Sequence, residues 1–118
     1  MINLFSYGTL QKQEVQIALF GRILASQKDQ IVGYTLKFIE ITDAVVLEMS
    51  QEKYHPILEF TGNLSHKVEG TLYEITFEEM LKADEYEVND YLRIEIKLAS
   101  GKIGFMYVEN NSDNNNTY

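Results

Sequence analysis

Apolar positions alternate from Ile2 to Tyr7, with Ile2 and Leu4 on one side and Phe5 and Tyr7 on the other. A period of two predicts a strand, and Gly8 ends it. Gln11 to Phe20 carries Val15, Ala18 and Leu19 at helical spacing. Ile17 and Phe20 widen that apolar face, and Gly21 is the expected stop. Ile31 to Ile41 is a long strand-like run, with Val45 to Met49 as its expected hairpin partner across Thr42-Asp43-Ala44. Gln51 to Pro56 reads as polar loop and Ile57 to Phe60 as a short edge strand. Val68 to Ile75 is a further strand. Its interior Gly70 is the mark of a bulge or of a close backbone approach.

Thr76-Phe77-Glu78-Glu79 is a capping box: Thr76 caps, and Glu79 reaches back from three residues on. Ile75 before the cap and Met80 after it fit a hydrophobic staple, so a helix is predicted from Phe77. Tyr91 to Leu98 alternates strictly, with Leu92, Ile94, Ile96 and Leu98 on one face and Tyr91, Arg93, Glu95 and Lys97 on the other. Ser100-Gly101 turns the chain, and Lys102 to Val108 returns as hairpin partner. The expected fold is α+β, with about six clustered strands and two helices. It is a small mixed, mostly antiparallel β-barrel or strongly curved sheet with flanking helices.

The chain has 118 residues, which suits one domain. Residues 1–109 are expected to form it. Asn110 to Tyr118 holds five asparagines and is expected to be a disordered polar tail. The net charge is −8 and the pI about 4.7. A field of that sign repels phosphate backbones, so no nucleic-acid partner is expected. The sequence has no cysteine, which removes disulfides, Cys-ligated metals and a thiol nucleophile. His55 and His66 sit in polar segments without metal-ligand spacing, so no metal site is expected. No apolar run approaches the roughly 20 residues of a membrane span. The N-terminal segment lacks the pattern of a signal peptide. A cytoplasmic protein is the expectation, a monomer or weak dimer without membrane partners.

Two features carry candidate chemistry. On the predicted second helix Phe77, Met80 and Leu81 form an apolar stripe, and Asp84 and Glu87 continue it. Carboxylates at core positions either solvate a fraying helix end or are buried and shifted in pKa. The second feature is Tyr7-Gly8-Thr9-Leu10, between a strand and a helix. Such a turn exposes backbone N–H groups that suit an anion, or it simply turns the chain. Tyr91, Arg93 and Tyr107 lie on strands flanking the acidic helix end. Arg93 either pairs with a carboxylate there or is a solvated cross-strand residue.

Together these segments resemble the γ-glutamylcyclotransferase-like superfamily. Tyr7-Gly8-Thr9-Leu10 is similar to its Tyr-Gly-Ser/Thr-Leu loop. Val68-Glu69-Gly70-Thr71-Leu72-Tyr73-Glu74-Ile75 is similar to its Val-x-Gly-x-Leu-Tyr-x-Ile strand. Ala83-Asp84-Glu85-Tyr86-Glu87 resembles its Leu-Asp-x-Tyr-Glu-Gly helix end, and Tyr91-Leu92-Arg93 its Tyr-x-Arg. The resemblance implies release of 5-oxoproline from a γ-glutamyl amine, amino acid or related amide, by attack of the α-amine on the γ-carbonyl. It implies no metal or organic cofactor and a small-molecule partner. Glu87 takes the acid/base role, Tyr7 to Leu10 and Tyr107 bind substrate, and Asp84, Tyr91 and Arg93 support the site. Ala83 and Val88 depart from the family's Leu and Gly. A catalytically silent module that binds a small carboxylate metabolite is the alternative on the same fold.

The proposed base faces an energetic difficulty. A free glutamate has a pKa near 4.3 and an α-amine near 8, a gap equivalent to roughly 5 kcal/mol against proton transfer. Burial raises the first and lowers the second. The placement of Glu87 on an apolar stripe is therefore what the chemistry asks for.

Overall fold

The computed structural model describes residues 1–40, 44, 54–87 and 91–109. Seven strands, two α-helices and a 3-10 turn are present among them. They run β1 (Ile2–Ser6), the 3-10 turn (Thr9–Gln11), α1 (Gln13–Phe20), β2 (Ser26–Val32), β3 (Tyr34–Glu40), β4 (Tyr54–Phe60) and β5 (Lys67–Ile75). Then come α2 (Phe77–Glu87), β6 (Tyr91–Lys97) and β7 (Ile103–Glu109). Five strands form one sheet in the order β2-β5-β1-β7-β6, and β3 pairs with β4 in a separate ribbon. The β1–β7 pair is parallel and the other pairs are antiparallel. The sheet is thus mixed and mostly antiparallel. It stays open between β2 and β6 among the described residues, so it is a curved sheet and not a closed barrel.

The alternation along β1 divides the core. Leu4 joins Leu10, Val15, Met80, Ala83, Tyr86 and Tyr107 on the helix side. Phe5 faces the other way, among Ile31, Leu58, Val68, Leu72 and Met106. Burying both faces of β1 requires close neighbours on both edges. Gly70 of β5 supplies one: a Cβ there would lie 2.4 Å from the Ser6 carbonyl oxygen and 2.6 Å from Phe5 Cζ. Gly104 of β7 supplies the other, where a Cβ would lie 2.9 Å from the Asn3 carbonyl oxygen. The interior Gly70 is therefore a close approach.

Helix α2 begins as its capping box dictates. Thr76 N–H donates to Glu79 Oε1 at 2.9 Å, and Glu79 N–H donates to Thr76 Oγ1 at 3.1 Å. Arg22, just past the end of α1, grips the same carboxylate with Nε at 2.8 Å and Nη2 at 2.7 Å. That pairing holds the Glu79 carboxyl down at about 2 and ties the exit of α1 to the start of α2. Among the described residues no helix is long and apolar enough to cross a membrane.

Several sequence expectations are corrected. The run from Ile31 to Ile41 is two strands. Gly33, at φ +88°, breaks it, so Ile31 and Val32 end β2 while Tyr34 starts β3. The polar stretch Ser26–Gln30 was not expected to be a strand; it pairs with β5 through its backbone, which is indifferent to side-chain polarity. The expected loop from Gln51 already belongs to β4 from Tyr54 onward. On α1 the buried face is Val15 and Gln16, while Ile17 and Ala18 are exposed. On α2 the stripe is rotated: Phe77 and Leu81 are exposed, and Glu79, Met80, Ala83 and Tyr86 are buried. The ion pair of Glu79 with Arg22 and the small Ala83 let that side of the helix approach the sheet. The expected strand Val45–Met49, Val88 and the tail from Asn110 lie outside the described residues.

Replacing Gly70 with Ala should cost about 1–3 kcal/mol or more, because the new methyl meets backbone that cannot swing aside. Urea melts of the wild type and the variant measure this, with the loss appearing as a lower midpoint at unchanged slope.

Candidate active site

The site begins where β1 ends. Ser6 is the last strand residue, and its Oγ accepts the Gly8 N–H at 3.3 Å. The 3-10 turn then closes with Gln11 N–H on Gly8 O at 3.1 Å and Lys12 N–H on Thr9 O at 3.0 Å. The N–H groups of Thr9 and Leu10 precede the first of these bonds, so the turn itself gives them no acceptor. Three side chains hold the turn from outside. Gln11 Nε2 donates to Gly8 O at 3.2 Å while its Oε1 accepts the Thr71 hydroxyl at 2.9 Å. Gln16, 2% exposed, donates to Leu10 O at 2.8 Å and accepts the Leu24 N–H at 3.0 Å. Thr9 Oγ1 and Tyr86 Oη share a buried hydrogen bond of 2.8 Å. The sequence reading missed Gln11, Gln16 and Tyr86. An amide beside Val15, on a helix with an apolar face, is a signal for Gln16, because a buried amide needs partners.

Helix α2 delivers the carboxylates. Glu87 is its last residue and keeps part of its surface, but its carboxyl is turned inward. Glu87 lines one cavity with Leu4, Ser6, Tyr7 to Leu10, Tyr91 and Tyr107. The cavity has an empty volume of about 330 Å³, part of it continuous with solvent. Asp84 lies one turn earlier on α2, outside the cavity lining. It accepts Tyr107 Oη on Oδ1 and Arg93 Nη1 on Oδ2, both at 2.6 Å. The Arg93 guanidinium also lies over the Phe105 ring, 5.5 Å from its centroid. The Tyr7 hydroxyl crosses the end of the sheet and donates to the Tyr107 carbonyl.

The structure therefore brings Tyr7, Gly8, Thr9, Leu10, Glu87, Tyr91 and Tyr107 to one cavity and fastens Asp84 and Arg93 behind Tyr107. His66 is elsewhere, with Nδ1 2.8 Å from Thr61 Oγ1, and the His55 backbone belongs to β4.

Desolvation dominates the electrostatics here. Loss of water pushes the Glu87 carboxyl up to about 8. Burial also raises the Tyr7 phenol, with the charge of Glu87 adding to it. The Tyr107 phenol is raised by burial first, then by its hydrogen bond to Asp84 and the charges of Asp84 and Glu87. One wall of the cavity is thus an uncommonly basic carboxyl. The Tyr7–Leu10 turn, which gives its Thr9 and Leu10 N–H groups no acceptor, lines the same cavity. Such a site can exchange a proton with an amine while holding a carboxylate or an oxyanion.

An open mixed sheet with two helices on one face and a basic carboxyl facing a backbone turn defines a small α+β protein with a proton-transfer pocket. The sequence profile of gamma-glutamyl cyclotransferase, AIG2-like proteins matches residues 4–118, and the chain belongs to that family. Among solved structures, one described as gamma-glutamyl cyclotransferase superposes with a TM-score of 0.71 at 17% identity, covering 93% of this chain and 67% of that one. A solution structure from Arabidopsis thaliana gives 0.69 at 17% identity, covering 93% and 69%. An uncharacterized protein from Pyrococcus horikoshii gives 0.64 at 22% identity, covering 92% and 78%. At these identities the likeness is one of fold. No curated protein matches the sequence.

Two outcomes follow from this geometry. Between the ordinary carboxyl value of 4.5 and about 8, folded Glu87 holds a proton that the unfolded chain releases. Its contribution to stability is full below 4.5 and is lost as pH rises through about 8. Glu87→Gln cannot ionise, so thermal melts should find it more stable than wild type at pH 7, by about 4 °C or more. The two should converge below the unfolded carboxyl value. Asp84→Ala leaves Tyr107 Oη and Arg93 without their acceptor, and chemical denaturation should register a loss of about 1–3 kcal/mol.

Proposed function

We propose that this chain is a γ-glutamyl cyclotransferase that releases 5-oxoproline from a γ-glutamyl amine, amino acid or related amide. The single observation that carries this reading is the Glu87 carboxyl, raised to about 8 in a cavity faced by the Tyr7–Leu10 turn. A substrate α-amine titrates near 8 as well. Proton transfer between the two is then nearly thermoneutral, whereas an exposed glutamate would face a barrier of roughly 5 kcal/mol.

The proposed steps conserve protons through Glu87 alone. Its carboxylate takes one proton from the α-ammonium, and the freed amine attacks the γ-carbonyl carbon. The Thr9 and Leu10 N–H groups support either the developing oxyanion or the α-carboxylate. The Glu87 carboxyl gives its proton to the leaving nitrogen, and the C–N bond to that nitrogen breaks. Glu87 then takes the second proton from the new ring nitrogen and passes it on to the departing amine. Two protons leave the α-nitrogen and two arrive on the leaving group. Both reacting atoms belong to one substrate, so the cavity has only to bend the glutamyl chain into a near-attack conformer.

The test is incubation with a panel of γ-glutamyl compounds, scored for 5-oxoproline. Wild type should turn over at least one of them, and Glu87→Gln should be slower by about 10²–10⁴. For the wild type kcat/KM should climb with pH toward about 8, as Glu87 becomes ionised. Binding without any 5-oxoproline would instead favour the silent metabolite-binding module.

A further inference from the structure

The hydroxyl proton of Tyr107 has a definite direction. Asp84 is ion-paired with Arg93 at 2.6 Å, and a carboxylate in that state has no proton to give. Tyr107 Oη lies 2.6 Å from the other carboxylate oxygen and is the donor of that bond. A phenol has one proton. With that proton committed to Asp84, Tyr107 turns only lone pairs toward the cavity it shares with Glu87. Tyr7, the other phenol electrostatically coupled to Glu87, has likewise committed its proton, to the Tyr107 carbonyl. Two of the phenols around Glu87 therefore give their protons to other groups, Tyr107 to Asp84 and Tyr7 to the Tyr107 carbonyl.

We infer that Asp84 and Arg93 are positioning residues that fix Tyr107 as a hydrogen-bond acceptor, so that this end of the cavity selects the α-ammonium group of the substrate. The inference rests on the cyclotransferase reading for its ligand but not for its polarity. An ammonium nitrogen offers three N–H groups, and Glu87 and Tyr107 are two acceptors in one cavity. A ligand with an acylated α-nitrogen lacks the charge and most of the donors, and it would leave those acceptors unsatisfied. The same arrangement directs the Tyr107 proton to Asp84 and not to the Glu87 carboxylate, so Tyr107 does not offset its desolvation. Asp84 thereby acts on Glu87 through Tyr107, one turn away on the same helix.

The groups around Glu87 define the control. Tyr7 faces it from the end of β1, Tyr91 from β6 and Tyr107 from β7, with Asp84 and Glu85 on its own helix and Arg93 reached through Asp84. In Asp84→Asn the amide turns its oxygen to Arg93 and its NH₂ to Tyr107 Oη. The phenol proton is displaced toward the cavity, where it stabilises ionised Glu87 directly or through a water. Removing the Asp84 charge also acts on Glu87 through space, and a Tyr107→Phe background subtracts that contribution.

The experiment is a ¹³C NMR titration of the Glu87 carboxyl in wild type, Asp84→Asn, Tyr107→Phe and the double variant, without substrate. Asp84→Asn should lower the Glu87 midpoint by about one pH unit or more, and less than half of that should remain in the Tyr107→Phe background. An equal lowering in both backgrounds would mean that Asp84 acts by charge alone and would overturn the inference. In activity assays Tyr107→Phe should raise KM about tenfold or more, the loss of a hydrogen bond to a charged group, with a smaller change in kcat. Absence of turnover in wild type would defeat the cyclotransferase reading, while the titration would still decide the polarity of Tyr107.

Discussion

The close contact of β1 with both of its neighbours is the constraint on which the site depends. Gly70 on one side and Gly104 on the other leave no room for even a methyl group against the β1 backbone. A strand clamped in this way has no freedom at its carboxyl end. The chain must leave the sheet at Ser6, and the turn that follows is anchored by the carbonyls of Gly8 and Leu10. The turn lines the cavity at that end of the sheet and gives its own Thr9 and Leu10 N–H groups no acceptor. Helix α2 is brought to that region by a second clamp, in which Thr76 and Arg22 share Glu79.

The cavity that results has an unlike lining. The Tyr7–Leu10 turn, with backbone donors that have no partner within it, shares the lining with the Glu87 carboxyl, Tyr91 and Tyr107. The carboxyl is basic through loss of water, and Tyr7 and Tyr107 do not relieve it because their protons are engaged elsewhere. In the proposed reaction this single property does two jobs. It matches Glu87 to an amine that has to be deprotonated, and it leaves a carboxyl acidic enough to protonate the departing nitrogen. In that proposal the acid/base property follows from where helix α2 ends.

The correction on α2 has a physical lesson. Hydrophobic spacing pointed to Phe77, Met80, Leu81, Asp84 and Glu87 as one stripe. The helix instead buries Glu79, Met80, Ala83 and Tyr86, and leaves Phe77 and Leu81 exposed. A charged residue made the better core neighbour because Arg22 and the capping box satisfy it, and neither partner is visible from the periodicity of one helix. Glu87 lies at the edge common to both stripes, four residues after Ala83 and seven after Met80, so the rotation did not remove it from the interior. Asp84 lies on the half-exposed side of the helix, where it can hold Tyr107 and Arg93 at once.

Local patterns in the chain were enough to determine the alternation of β1, the capped start of α2 and the hairpin of β6 and β7, and they marked Gly70 as either a bulge or a close approach. Each depends on residues within a few positions of one another, or on the absence of one side chain. They were also enough to identify the residues of the Tyr7–Leu10 turn and Glu87 as candidates. Tertiary structure alone decided the break at Gly33, the strand character of Ser26–Gln30 and the roles of Gln11, Gln16 and Tyr86. It also decided the pKa of Glu87 and the direction of the Tyr107 proton. These are properties of groups far apart in sequence: Thr9 meets Tyr86 across 77 positions, and Tyr107 meets Asp84 across 23. Burial and hydrogen-bond direction are set by whatever the fold brings alongside, and no local pattern carries that information.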